Sequence, residues 1–368
     1  MSTVVYQLRL KDTDGALQAI FDQFSTLTYT KILNGVGTLT FLMDGEDTRK
    51  SLFTVDSRVE VWRRDPLAFS WYLDYEGFVR SVRRYINEEG MKLFEVTCLH
   101  PNSLLSRRVI LPTAGSEFNS QSGPADTVLT NIVLANAGSM AASQRQIPEF
   151  TVTTATGSAT NYTSEFRYEN LYDSCIDIIT SIREAGSSTA CDFSVESSGI
   201  AGFNFRTYYP YYGNNKTAGT ASAVVFSLER SNMNVPGYLD NHAEEVTSIF
   251  VLGSGEGANR NVYNIVSESA SSVSVYNRIE TQVDAQEAED AAAITAVSNL
   301  ALQENRRIRQ LSFVPVETES TRYGLHWVLG DLVTARFDDQ EFTCRAEAIS
   351  VEVTESEGET LNAVMTSV

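Results

Sequence analysis

Alternation of apolar and polar residues in the N-terminal part constrains this chain more than any other feature of its sequence. The stretches FSTLTYTKIL and GTLTFLM flank Asn34-Gly35, a dipeptide that readily adopts the positive φ of a hairpin turn. The stretches YEGFVRSVRRYI and MKLFEVTCL flank NEEG in the same manner. Between them, RVEVWRR alternates Val59 and Val61 with charged residues, which predicts a strand with one buried face. We therefore expect a meandering antiparallel sheet, in the form of a small barrel or sandwich.

Helical patterns appear in the middle of the chain. The stretch GPADTVLTNIVLANAG carries Pro124 near its start and Gly138 at its end, and its apolar face holds Val128, Ile132 and Ala135. The stretch NLYDSCIDIITSIREAG predicts a second helix that ends at Gly186, with an apolar face of Leu171, Cys175, Ile178 and Ile182. The short strands CDFSVES and GFNFRTYYPYY follow. A mixed α+β unit is expected here.

The last third of the chain returns to strand patterns, with EEVTSIFVLGSG and NRNVYNIVSES first and LGDLVTARF, EFTCRAEAISVEV and LNAVMTSV last. Between these groups, VDAQEAEDAAAITAVSNLALQENRRIRQL predicts one long helix. Acidic residues crowd its start and arginines its end, which suits the helix dipole. The predicted apolar stripe is Ala291, Ile294, Val297 and Ala301, and the terminal arginines are Arg306, Arg307 and Arg309.

These patterns predict a mainly β protein of the α+β class with three domains. The expected boundaries are 1–105 for an N-terminal β domain, 106–235 for an α+β insert and 236–368 for a second β domain. The second β domain contains a helical insertion at about 284–310.

The segment VLGSGEGANR, residues 251–260, looks like a phosphate-binding loop. Such a loop must lead from a strand into a helix, because the helix N-terminus supplies N–H groups to the phosphate. Here a second strand pattern follows, and the Lys-Ser/Thr pair of a P-loop is missing. We expect the glycines to let a strand bend or bulge. Arg260 is then either a salt-bridge partner or a ligand.

The motifs that can hold metals are incomplete. Asp12 and Asp14 in DTDG start like a calcium loop, but Ala16 and Gln23 occupy the positions of further ligands, so we expect a polar β-turn. The cysteines lie far apart without a CxxC motif, which predicts buried thiols in a reducing compartment rather than a zinc site. They are Cys98, Cys175, Cys191 and Cys344.

Catalytic residues are equally scarce. Neither GxSxG nor HExxH is present, and the histidines are His100, His242 and His326. Glu244 and Glu245 lie close enough in sequence to orient His242, although a hydrogen-bonded surface histidine is commoner. Asp338 and Asp339 resemble a glycosidase pair, but a chain with 47 acidic residues contains such pairs by chance. We predict no enzymatic activity and no cofactor.

Charge excludes some partners. The chain has 28 basic and 47 acidic residues, a net charge of −19, so a cationic groove for nucleic acid is not expected. An acidic, lysine-poor surface is typical of proteins that work in concentrated salt, which suggests a high-salt host; the alternative is an ordinary acidic phage or bacterial protein. No apolar run approaches the roughly 20 residues of a membrane span, and the N-terminus has no signal pattern.

The stretch FRTYYPYYGNN gathers four tyrosines, Tyr208, Tyr209, Tyr211 and Tyr212. Tyrosines are enriched at protein interfaces, because the ring buries area while the hydroxyl stays paired. We expect a strand edge or subunit contact. The alternative is a platform for sugar rings.

Several stretches occur in the order known from one family. They are GALQAIFDQFSTLTYTKILNGVGTLTFLM, VEVWRRD, YEGFVRSVRRYINEEG, VVFSLERSNMNVP, VTSIFVLGSGEGANR, YNRIETQVDAQ and YGLHWVLGDLVTARF. In this order the chain resembles the tail hub, or baseplate hub, proteins of long-tailed, siphovirus-like bacteriophages and archaeal tailed viruses. The resemblance rests on order and spacing along nearly the whole chain, since no single motif is chemically diagnostic.

The resemblance implies two β-barrel domains of the tail-tube type, joined by the α+β insert as in contractile-tail baseplate hubs. It implies a homotrimeric virion protein, assembled in the host cytoplasm, that caps the sixfold tail tube and adapts it to a threefold tip. The implied partners are the tail tube or distal tail protein, the tape measure protein and the tail-tip or fibre proteins. Double-stranded DNA would pass through without specific binding. The alternative is a glycan-binding or glycan-cleaving tail-tip module.

Overall fold

A computed structural model describes residues 4–68, 70–155, 159–184, 190–267, 274–286, 291–355 and 358–367. The N-terminal strands are β1 (Val5–Lys11), β2 (Leu17–Phe21), β3 (Thr26–Ile32), β4 (Thr38–Asp44), β5 (Arg58–Arg64), β6 (Tyr72–Ile86) and β7 (Lys92–Leu99). The middle elements are β8 (Asn119–Pro124), α1 (Ala125–Asn136), β9 (Phe150–Thr153), β10 (Asn161–Phe166), α2 (Leu171–Glu184), β11 (Asp192–Ser198), β12 (Gly202–Tyr208), β13 (Asn215–Lys216) and β14 (Val225–Ser227). The last are β15 (Met233–Asn241), β16 (Ser248–Leu252), β17 (Val262–Val266), β18 (Glu280–Asp284), α3 (Ala291–Glu304), β19 (Ile308–Pro315), β20 (Leu332–Phe337), β21 (Gln340–Thr354) and β22 (Gly358–Ser367).

One large sheet of 12 strands organises the fold. Its strand order is β13-β20-β21-β3-β4-β7-β6-β5-β1-β2, with β14 paired to β20 and β22 paired to β21. The long strand β21 pairs first with β20 and then with β3 along one edge, while β22 occupies its other edge. The described strands form no closed barrel, because the sheet path ends at β13 and β2.

The predicted hairpins of the N-terminal part are confirmed. Strands β3 and β4 pair antiparallel, and Asn34 in the turn has φ 59°. Strands β6 and β7 pair antiparallel, and Gly90 in their turn has φ 81°. In both turns the residue that takes positive φ is of a type that tolerates it.

The first and last parts of the chain share one hydrophobic core. Leu8, Tyr29 and Phe41 from the N-terminal strands pack in the same cluster as Trp327 and Ile349. Strands β13 and β14, from the middle of the chain, also join the large sheet. The large sheet and the first core are therefore continuous across the predicted domain boundaries at residues 105 and 235. The division into three domains stays a prediction.

The middle of the chain has a second core. Helices α1 and α2 pack with the three-stranded sheet β11-β12-β9. The predicted apolar faces are confirmed except at Ala135, which is only half-buried and lies outside this core: the buried residues are Val128, Ile132, Leu171, Cys175, Ile178 and Ile182. The predicted stop at Gly186 lies outside the described residues.

The expected half-buried character of β5 is wrong. Its charged residues Arg58, Glu60 and Arg63 are buried together with the valines. Strand β5 lies inside the sheet between β1 and β6, and the middle of the chain covers part of it. Arg58, for example, donates a hydrogen bond to the carbonyl of Ala201 and lies 4.3 Å from the ring centre of Phe203.

The predicted helix at about 284–310 is too long. Helix α3 spans Ala291–Glu304, whereas β18 ends at Asp284 and β19 begins at Ile308. Residues 287–290 and the side chain of Ala291 lie outside the described residues. Of the predicted stripe, Ile294, Val297 and Ala301 do pack in the core beneath α3.

Tertiary pairing explains the early end of α3. The first three residues of β19 are exposed, and from Leu311 onward every second side chain is buried, namely Leu311, Phe313 and Pro315. Strand β19 pairs antiparallel with β15 over this stretch. Strand pairing therefore outweighs the helical pattern, and the arginine run opens a strand instead of ending a helix.

Candidate functional site

The glycine loop joins two strands. Strands β16 and β17 pair antiparallel, with Leu252 opposite Val262, and the loop between them, residues 253–261, contains a short 3-10 turn at Gly257–Asn259. Gly255 has φ 101°, and a Cβ there would lie 2.3 Å from the carbonyl oxygen of Asn259. Glycine is therefore needed here for the conformation of the backbone and its close approach to Asn259, in agreement with the prediction. Of the two roles proposed for Arg260, the structure shows the salt bridge, with Asp284 at 2.8 Å.

The incomplete calcium motif is a turn, as predicted. The Oδ1 atom of Asp12 accepts hydrogen bonds from the backbone N–H groups of Asp14 at 3.0 Å and Ala16 at 2.8 Å. All four cysteines are buried free thiols. Among the described residues, no three His, Cys, Asp or Glu side chains are grouped so that they could hold a metal ion.

The histidine and aspartate candidates have structural partners. His242 contacts Glu245 (Nδ1 to Oε2 2.5 Å) and Asp240 (Nε2 to Oδ1 3.4 Å). Asp338 and Asp339 form the two-residue turn between β20 and β21, with φ 52° and 58°. Positive φ at both central residues is the geometry of a type I′ hairpin, in which Asp is favoured. The acidic pair therefore belongs to a turn.

The tyrosine cluster follows β12 and is half-buried. The Tyr208 hydroxyl donates to Glu196, and its ring meets that of Tyr212 edge-on at 4.7 Å. Burial raises the pKa of Tyr212 to about 12. The Arg345 guanidinium lies 5.4 Å from the ring centre of Tyr211. Tyr208 and Tyr212 are therefore held by contacts within the chain.

Next to this cluster lies a buried carboxylate that contacts all three parts of the chain. Asp192, at the start of β11, is fully buried. It accepts hydrogen bonds from the Asn34 side chain at 2.8 Å and from the Tyr212 backbone N–H at 2.7 Å. Arg183 and Arg345 form salt bridges to its two oxygens. Burial alone would raise the pKa of Asp192, but the two guanidinium groups hold that pKa below its ordinary value.

A second buried carboxylate joins the N-terminal strands to the last part of the chain. Asp74 on β6 accepts hydrogen bonds from the hydroxyls of Tyr29 at 2.5 Å and Tyr323 at 2.7 Å. Lys31 forms a salt bridge to it at 2.8 Å. Burial would raise the pKa of Asp74, but the Lys31 ammonium and the donated hydrogen bonds lower it.

A third cluster centres on a buried arginine. Arg63 on β5 has no exposed surface and binds both oxygens of Glu359 on β22, at 2.8 and 2.9 Å. It also donates to the Tyr72 hydroxyl at 2.8 Å and to the Tyr323 carbonyl at 2.9 Å. Such bidentate pairing fixes orientation as well as charge. The clusters around Asp192, Asp74 and Arg63 are called the junction clusters below.

The junction clusters connect distant parts of the chain, and the sequence patterns missed all three. The one available signal was charge inside strands that are otherwise apolar, as in RVEVWRR. The chemistry of the junction clusters suits a structural role, in which they hold distant parts of the chain in a fixed orientation. Each charge has a partner of opposite sign, and none of the central groups is exposed.

One buried carboxylate beside these clusters lacks full pairing. Glu76 on β6 accepts from the Ser197 hydroxyl through Oε2, but among the described residues Oε1 has no hydrogen-bond partner. The side chain lines a cavity of about 200 Å³. Burial raises the pKa of Glu76, and the nearby carboxylate of Glu60 adds to the rise.

Substituting Glu76 by Gln should therefore stabilise the protein. The raised pKa means that folding disfavours the charged form, so the penalty is present at neutral pH and disappears as the pH falls below the ordinary value of 4.5. We expect Glu76→Gln to raise the free energy of unfolding by about 1 kcal/mol at pH 7 and to change little at pH 4, measured by urea unfolding.

Glu60 is the matched control for this substitution. It is also buried, but it pairs with Lys11 and accepts from the Trp62 indole N–H at 2.7 Å. Glu60→Gln should therefore destabilise the protein at pH 7. If Glu76→Gln destabilises it as much, the Glu76 carboxylate is fully paired and the interpretation is wrong.

Comparison with known proteins gives the family. Residues 7–365 match the family of siphovirus ReqiPepy6 Gp37-like proteins. None of the curated proteins compared with the chain matches it. No described helix is long and apolar enough to cross a membrane.

Solved structures show the same fold at low sequence identity. The 43 kDa tail protein of prophage MuSo2 from Shewanella oneidensis has a TM-score of 0.59 at 10% identity, over 99% of this chain and 98% of that one. A tail protein from Neisseria meningitidis MC58 has a TM-score of 0.55 at 10% identity, over 100% and 97%. The E. coli c3393 protein, a type VI secretion component described as structurally similar to the T4 bacteriophage tail proteins gp27 and gp5, has a TM-score of 0.50 at 9% identity, over 94% and 74%.

The chain itself is mainly β, its charged clusters are built for structural cohesion, and its fold is that of tail proteins. The family match covers nearly its whole length. The chain belongs to the siphovirus ReqiPepy6 Gp37-like family, and it has the fold of the tail proteins compared above.

Proposed function

We propose that the protein is a homotrimeric hub that caps the sixfold tail tube and adapts it to the threefold tail tip. The observation that supports this most is the ladder between β3 and β21, in which Tyr29 lies opposite Val351. Through it, strands from the two ends of the chain lie side by side in one sheet. Three such chains would supply six neighbouring sheet segments, enough to match a sixfold tube.

The two barrel domains are completed between copies in this proposal. Strand β2 ends the sheet, pairs only with β1 among the described strands and exposes Leu17 and Ile20. Apart from the Ile20 carbonyl, which accepts from Arg49 at 3.0 Å, its outer edge is open to a strand of a neighbour. Closure of open edges by symmetry would produce a ring.

The channel of this ring would form part of the DNA conduit. Carboxylates on a wall offer no anchor to phosphates, so a chain with a net charge of −19 suits DNA that slides without specific binding. The proposed partners are the tail tube or distal tail protein, the tape measure protein and tail-tip or fibre proteins. The described similarity of c3393 to T4 tail proteins supports a place at such a junction.

The tyrosine cluster has a narrower role in this proposal. Tyr209 packs at the margin of the second core and Tyr211 lies beside Arg345, but both remain partly exposed, and we assign their exposed parts to a neighbouring subunit. A flat sugar platform needs exposed ring faces, and in this cluster the rings of Tyr208 and Tyr212 meet edge-on.

Light scattering after size-exclusion chromatography tests the hub directly. We expect a mass three times that of the monomer in dilute buffer. If the protein is adapted to high salt, the trimer should form only in concentrated salt. Tyr209→Ala and Tyr211→Ala should shift the equilibrium towards monomer. A monomer under all salt conditions that binds or cleaves envelope glycans would replace the hub with the tail-tip module.

A further inference from the structure

The arginine run at the start of β19 lines a groove rather than ending a helix. Arg306, Arg307 and Arg309 lie on one side of a groove of about 600 Å³. The first residues of β21, Gln340–Thr343, and the end of β22 form the rest of its wall. This is a concentration of positive charge in a chain whose net charge is −19.

Two of these arginines are available to a ligand. Arg307 forms a salt bridge with Asp240. Arg306 and Arg309 are exposed, and neither has an ion pair among the described residues. The acidic side chain in the wall, Glu341, is already paired with Arg336 at 2.8 Å. The groove therefore offers two guanidinium groups with free donors, and guanidinium binds carboxylates in bidentate fashion.

The groove also contains an open strand edge. The described pairing of β21 with β22 reaches Cys344 opposite Ser367, and no described strand pairs with Gln340–Thr343 on that side of β21. The two-residue turn makes Gln340 and Phe337 a hydrogen-bonded pair. Alternation along the antiparallel ladder then points the backbone groups of Glu341 and Thr343 away from β20, into the groove.

The side chains around this edge suit an extended peptide. Phe342, nearly buried and 5.1 Å from the ring of Tyr238, forms an apolar floor. The Ser367 hydroxyl donates to the Arg309 carbonyl at 2.5 Å and closes one end of the groove. A bound strand would lie beside Gln340–Thr343, with its backbone paired to β21 and alternate side chains reaching the arginines.

We propose that this groove binds an extended acidic segment of another tail protein, which adds as a strand beside Gln340–Thr343 and pairs its carboxylates with Arg306 and Arg309. Charge complementarity and the open edge both support a peptide. A DNA duplex has no peptide groups to pair with a strand edge, and a chain with a net charge of −19 repels its phosphates. The inference rests on the proposed hub function for the source of the segment, since a hub lies between several other chains.

Fluorescence anisotropy with labelled peptides tests the groove on the full chain. The probe is a hexapeptide of alternating Thr and Glu, and the comparison peptide replaces each Glu with Gln. We expect saturable binding of the acidic peptide that weakens with salt. The double substitution Arg306→Gln and Arg309→Gln should weaken it about tenfold or more. The comparison peptide, which lacks the carboxylates, should bind the unsubstituted protein as weakly as the acidic peptide binds the double variant. So should an acidic peptide with alternate backbone N-methyl groups, which cannot pair with the strand edge.

Arg83 and Arg84 provide the matched control, because both are exposed on β6 without an ion pair among the described residues. Arg83→Gln with Arg84→Gln should leave the affinity within about twofold. Absence of binding, an equal loss in this control, or equal affinity of the N-methylated peptide would each overturn the proposal. So would displacement of the peptide by a DNA duplex whose binding depends on Arg306 and Arg309.

Light scattering on the same samples separates this inference from the hub proposal. A monomer that binds the acidic peptide through Arg306 and Arg309 would contradict the trimer and leave the groove in place. A trimer that binds no acidic peptide would support the hub and overturn the groove.

Discussion

Replacing Asp192 with Ala is expected to lower the free energy of unfolding by about 3–5 kcal/mol at pH 7. The substitution removes the partner of Arg345, whose side chain is only 8% exposed, and leaves that buried charge unpaired. It also removes the acceptor for the Asn34 side chain and the Tyr212 backbone N–H. Urea unfolding followed by fluorescence measures the loss.

Two further variants show whether the loss comes from the buried charge. Replacing both partners, Asp192→Leu with Arg345→Met, should recover part of the stability, because no guanidinium is then left unpaired on that side. Glu280→Gln breaks an exposed pair with Arg278 and should change little. A loss below about 1 kcal/mol for Asp192→Ala would contradict the assigned role of this cluster.

Local features of the fold could be predicted because they depend on neighbouring residues. The hairpin at Asn34-Gly35 and helices α1 and α2 follow from turn chemistry and from apolar side chains at short spacing. The same reasoning excluded a phosphate site at Gly253–Gly257, since the following pattern is a strand. Each of these inferences needed only a short stretch of sequence.

The pairings that build the junctions depend on residues far apart in sequence. Thr30 and Ser350, for example, lie 320 positions apart and meet across β3 and β21. Without that ladder, Arg63 in RVEVWRR resembles a solvated charge, yet Glu359 covers it in the structure. Likewise, the residues after Glu304 follow a helical pattern until pairing with β15 makes them a strand. Sequence periodicity carries no information on which strand will be the neighbour.

The Asp74 cluster gives a prediction about acid stability. Asp74→Ala should lower the free energy of unfolding by about 3–5 kcal/mol at pH 7, because Lys31 loses its carboxylate and two buried tyrosine hydroxyls lose their acceptor. Since the pKa of Asp74 is held below 3.8 in the folded protein, its contribution is complete above that pH. It is lost as the pH falls from 3.8 towards the lower folded-state pKa.

Unfolding curves at pH 7 and pH 3 therefore distinguish the charged cluster from simple packing. The difference between wild type and Asp74→Ala should narrow at pH 3, whereas a packing defect would cost the same at both values. Glu46→Gln, which breaks the exposed pair with Lys92, is the control and should have little effect at pH 7. An undiminished difference at pH 3 would mean that the ionised carboxylate does not hold β6 to β3 and Tyr323. The ends of the chain would then be joined by the shared apolar core, the ladder between β3 and β21 and the remaining pairs such as Arg63 with Glu359.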